Sequence, residues 1–301
     1  MSYFKDYNYY YKANYFKKLE NYLNNPADDP AMYSDQEYEL TILPGTTRDG
    51  KKEGFDRIVI RPGDTLSIVG PTGSGKSAFI NDIEILAQED TVTGRRILVN
   101  GGEPSEEIVR DPARKPIALI TQNTRVLADL TVTQFLSLHL KARNTGTDAM
   151  ISCTIELANE FTGEKIDGSM RMTGLSGGQT RSLLIADAIL IGQTPILLLD
   201  EVENAGINKE RVITCLREYR KAVIFVTHDP YIALITDRRI VMKNGAVFAV
   251  LEPDGSEGEI IGTVSGMDSF LWQLREKIRS GDLVGNRKGI RSAPKKTGIP
   301  A

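Results

Sequence analysis

Residues 70–77 read GPTGSGKS, a glycine-spaced loop ending in Lys76 and Ser77, set between the aliphatic run TLSIVG (65–70) and the stretch SAFINDIEILA that opens at Ser77. A G-x-x-x-x-G-K-[ST] loop works only when a buried strand delivers the chain to it and a helix carries the chain away. The feature commits the chain to strand–loop–helix units, and so to an α/β sheet. Glycines let backbone amides curl around phosphate oxygens, and the helix N-terminus adds partial positive charge. Lys76 brings a full charge to the β and γ phosphates, and Ser77 places a hydroxyl where Mg²⁺ must be held. Gly70, Pro71, Thr72, Gly73, Ser74, Gly75 and Ala78 complete the candidate nucleotide cradle. At ordinary glycine usage, chance yields such a match in a chain this long on the order of 1% of the time. The preceding strand lowers that further, so an ordinary glycine turn is set aside.

The rest of the chain agrees with an α/β reading. TLSIVG, IALIT (117–121), PILLLD (195–200) and AVIFVT (222–227) read as buried strands, each ending in polar residues. Ligands of such sheets bind at the carboxyl ends of the strands. The α/β region runs from residue 37 to 264. Before it, residues 1–36 hold most of the chain's 11 tyrosines. Phe4, Tyr7, Tyr11, Tyr15, Leu19 and Tyr22 recur at steps of three and four, one face of a helix. Such a face either packs on the chain's own body or serves as a docking helix. After it, residues 265–301 comprise a short helix over DSFLWQLREKIRSG, with Asp268 near its start and Gly281 as its stop, and a basic tail without periodicity that reads as disordered.

Composition excludes more than it identifies. With 37 Lys and Arg against 40 Asp and Glu, a net charge of -3 argues against a general nucleic-acid binder. No apolar run reaches the roughly 18 to 20 residues that span a bilayer, and the N-terminus lacks the apolar core of a signal peptide. A cytoplasmic location is the expectation. Cys153 and Cys215 have no metal-ligand spacing and read as buried thiols.

LSGGQ at 175–179 precedes a further helical stretch, and again a serine and glycines present amides and a hydroxyl to an anion. One site has no room for two such cradles on the same phosphate. Here the sequence resembles the ATP-binding cassette (ABC) ATPases, whose signature is this pentapeptide, and the resemblance covers about residues 37–264. It implies a P-loop NTPase fold of ABC type: a mostly parallel sheet, an antiparallel β region and a helical subdomain at about 123–180. It also implies a head-to-tail dimer, of the chain with itself or with a paralogue, with ATP and Mg²⁺ held between one subunit's phosphate loop and the other's signature. Leu175, Ser176, Gly177, Gly178 and Gln179 then contact the ATP bound by the partner's loop, Ser176 and Gly178 at the γ-phosphate.

The resemblance assigns further residues. Gln122, after IALIT, matches the glutamine that reaches Mg²⁺ and the attacking water. Asp200 matches the aspartate that holds Mg²⁺, usually through water. Glu201 matches the catalytic glutamate that polarises water for in-line attack. His228, in VTHDP, matches the switch histidine, whose imidazole bonds the γ-phosphate and orients that water. His139 receives no role, and Glu203 reads as surface or interface. The segment between Gln122 and Ser176 is too short for the coiled coils of chromosome-maintenance relatives.

The family pattern also breaks. Ile207 stands where an aspartate usually crosses the dimer interface, so the usual charged coupling between sites is in question. The loop PGTTRDGKKEG has no aromatic ring to stack on adenine; Arg48 offers its guanidinium plane instead, with Phe55 as the runner-up. Two functions follow from the resemblance. One is the ATP-binding subunit of an ABC transporter, docked through its helical subdomain on a separate transmembrane subunit. The other is a soluble ABC ATPase that assembles, activates or regulates a protein or metalloenzyme client; the run ENAGI is similar to that of the ATP-dependent activators of methyl-coenzyme M reductase.

Overall fold

Uninterrupted runs of aliphatic and β-branched residues pair best in a sheet covered on both faces. In the computed structural model they do so: β3 (Thr65–Val69), β6 (Ile196–Asp200) and β7 (Ala222–Val226) are buried along nearly their whole length. The described residues are 38–281, without 112–113, 125, 127, 144–146, 193, 202–205 and 254–256. The chain divides into Met1–Gln36 and Glu37–Ala301. The aromatic helix expected before residue 37, the tail beyond Gly281 and Glu203 lie outside the described residues.

Six strands form the main sheet in the order β5-β6-β7-β3-β8-β9, where β5 is Ile117–Ile120, β8 Arg238–Lys243 and β9 Ala246–Leu251. All are parallel to their neighbours except β9, which returns beside β8. The return is a two-residue turn, Asn244 and Gly245, both at positive φ. That conformation matches the twist of the flanking strands and favours this residue pair.

The second sheet has three antiparallel strands in the order β2-β1-β4: β1 (Leu40–Leu43), β2 (Ile58–Ile60) and β4 (Arg96–Val99). Its inward residues Leu40, Ile42, Ile60 and Ile97 share one apolar core with Leu66 and Ile68 of β3 and with Phe79 and Ile83 of helix α1 (Lys76–Glu84). The core thus packs α1 against a strand of each sheet.

Helix α2 (Glu106–Arg110) precedes β5. Helices α3 (Val132–Arg143), α4 (Asp148–Phe161) and α5 (Gly177–Leu190) make up the helical region, and α5 runs ten residues past the expected limit at 180 to pack on β5. His139 on α3 bonds Asp187 of α5 through Nδ1 at 2.7 Å, which makes it a link between these helices. Cys215 is buried and its thiol is pushed up to about 12 by that burial, whereas Cys153 on α4 is only half-buried.

After β6 come α6 (Lys209–Glu218), α7 (Pro230–Ile235) and α8 (Gly258–Arg279). α8 starts ten residues before Asp268, so the expected boundary at 264 falls inside it. Gly262 and Gly266 concealed that first half, since each glycine costs a helix about 1 kcal/mol relative to alanine. Packing on α7 and an ion pair from Arg239 to Glu257 hold it instead. No helix among the described residues is long and apolar enough to cross a membrane.

Candidate nucleotide site

The loop at 70–77 leaves β3 and enters α1 through backbone that two glycines alone permit. Gly70 has φ 151 and a Cβ there would lie 2.4 Å from the Met242 carbonyl oxygen; Gly75 has φ 102 and its Cβ would lie 2.8 Å from the Cα of Gly245. The Asn244–Gly245 turn braces the loop, with the Gly245 N–H donating to the Ser74 carbonyl at 2.9 Å. Lys76 is buried within the loop, its ammonium donating to the carbonyls of Gly70 at 2.8 Å and Pro71 at 3.2 Å. Pro71, Thr72, Gly73 and Ser77 are exposed, and Ala78 is half-buried. No side chain caps the start of α1, which leaves its first amides open to an anion. Ser74 Oγ is buried there with no hydrogen-bond partner among the described residues.

The neighbouring strand ends bring the acids and the histidine alongside. Asp200 ends β6 opposite Val226 of β7, and Val226 lies opposite Ile68 of β3. Two strand spacings place the Asp200 backbone roughly 10 Å across the sheet from the loop's own strand. The next residue, Glu201, turns off the strand at φ 49, its N–H held by the Val226 carbonyl at 2.9 Å. A non-glycine residue there costs about 1 to 2 kcal/mol, and the turn aims the carboxylate back over the strand ends. Glu201 Oε1 lies 3.8 Å from His228 Nε2, both side chains partly open to solvent. That is ion-pair range and longer than a hydrogen bond. An oxygen donor set of one hydroxyl and one carboxylate, Ser77 and Asp200, fits a hard cation such as Mg²⁺ that completes its shell with water and phosphate.

Gln122 follows β5 in an exposed turn, and its carbonyl accepts from Arg181 Nη2 at 2.8 Å. Arg181 is otherwise buried, its Nε and Nη1 without partners among the described residues, and burial lowers its pKa. In the signature, Ser176 caps α5 in a reciprocal capping box with Gln179. The Ser176 hydroxyl also donates to Glu164 Oε2 at 2.6 Å, which puts a carboxylate at the helix start. Gln179 is buried, its amide oxygen accepting from the Ser176 N–H and its nitrogen donating to the Lys165 carbonyl, so its side chain serves its own subunit. Leu175 and Gly178 are half-buried, and Gly177 is exposed.

Ile207 is buried and bridges to Thr162 at the end of α4, so its side chain faces the core. Arg48 donates from Nη2 to the Gly73 carbonyl at 3.0 Å, which sets it on the rim of the phosphate loop. Phe55 is half-buried and packs on the apolar core.

Sequence reading passed over two ion-pair systems beside the loop. Behind it, fully buried Arg95 meets Glu53 through Nε at 2.8 Å and Nη2 at 2.7 Å, and Asp82 of α1 through Nη1 at 2.8 Å. Beside His228, Lys209 bonds Asp229 at 2.5 Å and Asp268 at 2.7 Å. The only sequence signal for either was Asp229 itself, adjacent to His228 in VTHDP.

The family model described as ABC transporter matches residues 57–204, a span that contains the phosphate loop, the LSGGQ segment and Asp200 with Glu201 and ends before His228. An uncharacterised ABC transporter ATP-binding protein of Methanocaldococcus jannaschii is 47% identical over 244 residues, 81% of this chain and 94% of that protein. A thiamine import ATP-binding protein of Brucella suis is 30% identical over 211 residues, 65% of this chain and 80% of that protein. Among solved structures, a dimeric ATP-binding cassette in a post-hydrolysis state, bound to ADP and Pi, superposes with a TM-score of 0.55 at 25% identity, over 72% of this chain and 99% of that one.

Proposed function

Because the chain belongs to the ATP-binding cassette (ABC) ATPase family, we propose that it hydrolyses MgATP in a head-to-tail dimer to drive a separate transmembrane subunit of an ABC transporter. The observation that carries the catalytic part is the convergence of Glu201 and His228, 3.8 Å apart, at the strand ends beside the phosphate loop. Loop amides at Gly73, Gly75 and Lys76 receive the β and γ phosphates while the Ser74 N–H closes the loop on the Pro71 carbonyl at 3.1 Å, Lys76 neutralises the phosphate charge, and Ser77 and Ala78 extend the cradle into α1. Arg48, on the rim at Gly73, contacts the nucleotide from the side.

Ser77, Asp200 and Gln122 are the residues that would hold Mg²⁺, which neutralises charge on the β and γ oxygens when bound. Glu201 accepts a proton from water as the water oxygen bonds the γ-phosphorus and the bond to the β-bridging oxygen breaks, releasing ADP. His228 donates to a γ-oxygen and keeps that water in line. Ser176, Gly177 and Gly178 of the signature supply the contacts from the partner subunit, and Gln179 holds the helix start in shape for them. Ile207 faces its own core and adds no charge across the dimer.

The relatives' printed roles as ATP-binding proteins of transporters and importers favour a membrane partner over a soluble client. The chain then works in the cytoplasm, at the inner face of the membrane through that partner. The test is Glu201→Gln. This variant is expected to keep ATP binding, to lose about 10² to 10⁴ in turnover, and to run as a dimer with ATP on a sizing column. Pull-down of that dimer in mild detergent recovers an integral membrane protein. Hydrolysis near the wild-type rate overturns the role of Glu201, and recovery of a soluble enzyme in place of a membrane protein overturns the transport assignment.

A further inference from the structure

His228 sits between two fixed neighbours. Thr227 is fully buried and donates its N–H to the Ile68 carbonyl of β3 at 3.2 Å. Asp229 donates its N–H to Thr227 Oγ1 at 2.8 Å, and its Oδ1 accepts from the Tyr231 and Ile232 amides at the start of α7. Its other oxygen, Oδ2, accepts from Lys209 Nζ at 2.5 Å. The same ammonium donates to Asp268 Oδ1 on α8 at 2.7 Å. Lys209 opens α6, two residues beyond Ile207, so three separate elements meet on one nitrogen.

The side chains of Lys209, Asp229 and Asp268 are 10%, 16% and 34% exposed, dry enough at the lysine for its bonds to fix geometry. Burial alone pulls the Lys209 ammonium down, yet the two carboxylates outweigh it and its pKa is raised. The cation is therefore locked in place as a charge. α8 also packs on α7, and Glu257 just before it pairs with Arg239 of β8 at 2.9 Å.

We infer that Lys209 is a positioning residue for hydrolysis, and that Asp268 of the C-terminal helix acts through it: the Asp268–Lys209–Asp229 chain holds the His228 backbone where the imidazole meets the γ-phosphate. The C-terminal helix thereby sets the rate of the chemical step without touching nucleotide. This rests on the role of His228 given above. Without Asp268 the ammonium loses one of its two fixed points and swings with Asp229, which shifts the imidazole by a fraction of an ångström. Misplacement on that scale affects turnover more than substrate binding.

The test measures kcat and KM for ATP, with melting temperature, on the full chain. Asp268→Ala and Lys209→Ala are expected to lower kcat on the order of ten- to a hundred-fold with KM unchanged. Lys209→Arg, which can still bridge two carboxylates, restores most of kcat. Glu257→Gln loosens the other anchor of α8 and lowers the melting temperature with kcat unchanged. In a His228→Ala background, Asp268→Ala adds no further loss, as expected of residues acting in series. If Asp268→Ala lowers only the melting temperature while His228→Ala cripples turnover, the inference is overturned and the role of His228 stands. If the two losses multiply, the inference is likewise overturned. If His228→Ala leaves turnover intact, the role of His228 falls and the inference falls with it.

Discussion

Replacing Arg95 by methionine tests the coupling between the antiparallel sheet and the phosphate loop. The guanidinium is fully buried, makes a bidentate pair with Glu53 and a third charged bond to Asp82, and lies 4.8 Å over the Phe79 ring. Methionine fills much of the stem's volume and keeps its apolar contacts. It leaves both carboxylates without their cation in a site that holds no other positive side chain among these contacts. Glu53 keeps the amides of Gly45 and Val247, and Asp82 keeps the Thr93 hydroxyl, so each carboxylate is only partly satisfied. Breaking a buried pair by removing one partner costs about 3 to 5 kcal/mol, a large part of the roughly 5 to 15 kcal/mol that holds a domain folded.

Urea denaturation at pH 7 is the assay, read as a fall in midpoint at constant slope. Function falls with stability, because Arg95 Nη2 also reaches the Gly245 carbonyl at 3.3 Å and Gly245 braces Gly75. ATP affinity of the folded fraction is therefore expected to weaken as well. Arg95→Lys keeps the charge without the fork and is expected to lose less than Arg95→Met. A loss under about 1 kcal/mol for Arg95→Met at unchanged slope refutes the reasoning, since that is the scale of solvated surface pairs.

Two further outcomes are expected. Glu164→Gln removes the negative charge that bonds Ser176 at the start of α5, so the ATP-trapped dimer of the Glu201→Gln variant forms at several-fold lower ATP; an unchanged or higher ATP requirement refutes this. Lys221 is pulled from 10.5 to about 8 by burial, with Arg143 adding repulsion. Below about pH 8 the folded state carries the full penalty of the buried charge, and between about 8 and 10.5 it sheds the proton first, so stability rises with pH across that window. Lys221→Met is thus expected to raise the melting temperature at pH 7, by up to about 3 kcal/mol of stability, with the gain fading toward pH 10.5; a gain that does not change with pH refutes the assignment.

The strands that carry the site were legible because parallel strands covered on both faces need unbroken apolar runs, as in ILLLD and AVIFV. The β2 strand, IVI, is three residues long and has too little pattern to stand out from a loop. Gly70 and Lys76 were legible from the glycine-spaced loop that follows one such run, whereas Asp200, Glu201 and His228 were named through the resemblance to the ABC ATPases, and the structure places them at or just beyond the ends of β6 and β7. The ion-pair systems were not. Lys209 and Asp268 are 59 positions apart, and Arg95 and Glu53 are 42 apart, so folding alone creates these pairs and no local period records them. Ile207 marks the opposite limit: the sequence showed a lost charge, and only burial showed that the side chain faces its own core.

The two flanks of the site are held by forces of different kinds, and the difference bears on which flank can move. Behind the phosphate loop, Arg95, Glu53 and Asp82 are dry, and separating them exposes charges to a medium that cannot solvate them. That flank is costly to displace. On the other flank, Glu201 and His228 stand in contact with solvent. Pairs of that kind contribute about 0 to 1 kcal/mol each and exchange with water readily. Glu201 adds a strained left-handed backbone, its N–H donating to the Val226 carbonyl. Backbone strain and solvent-exposed contacts make this flank less costly to rearrange than the buried one.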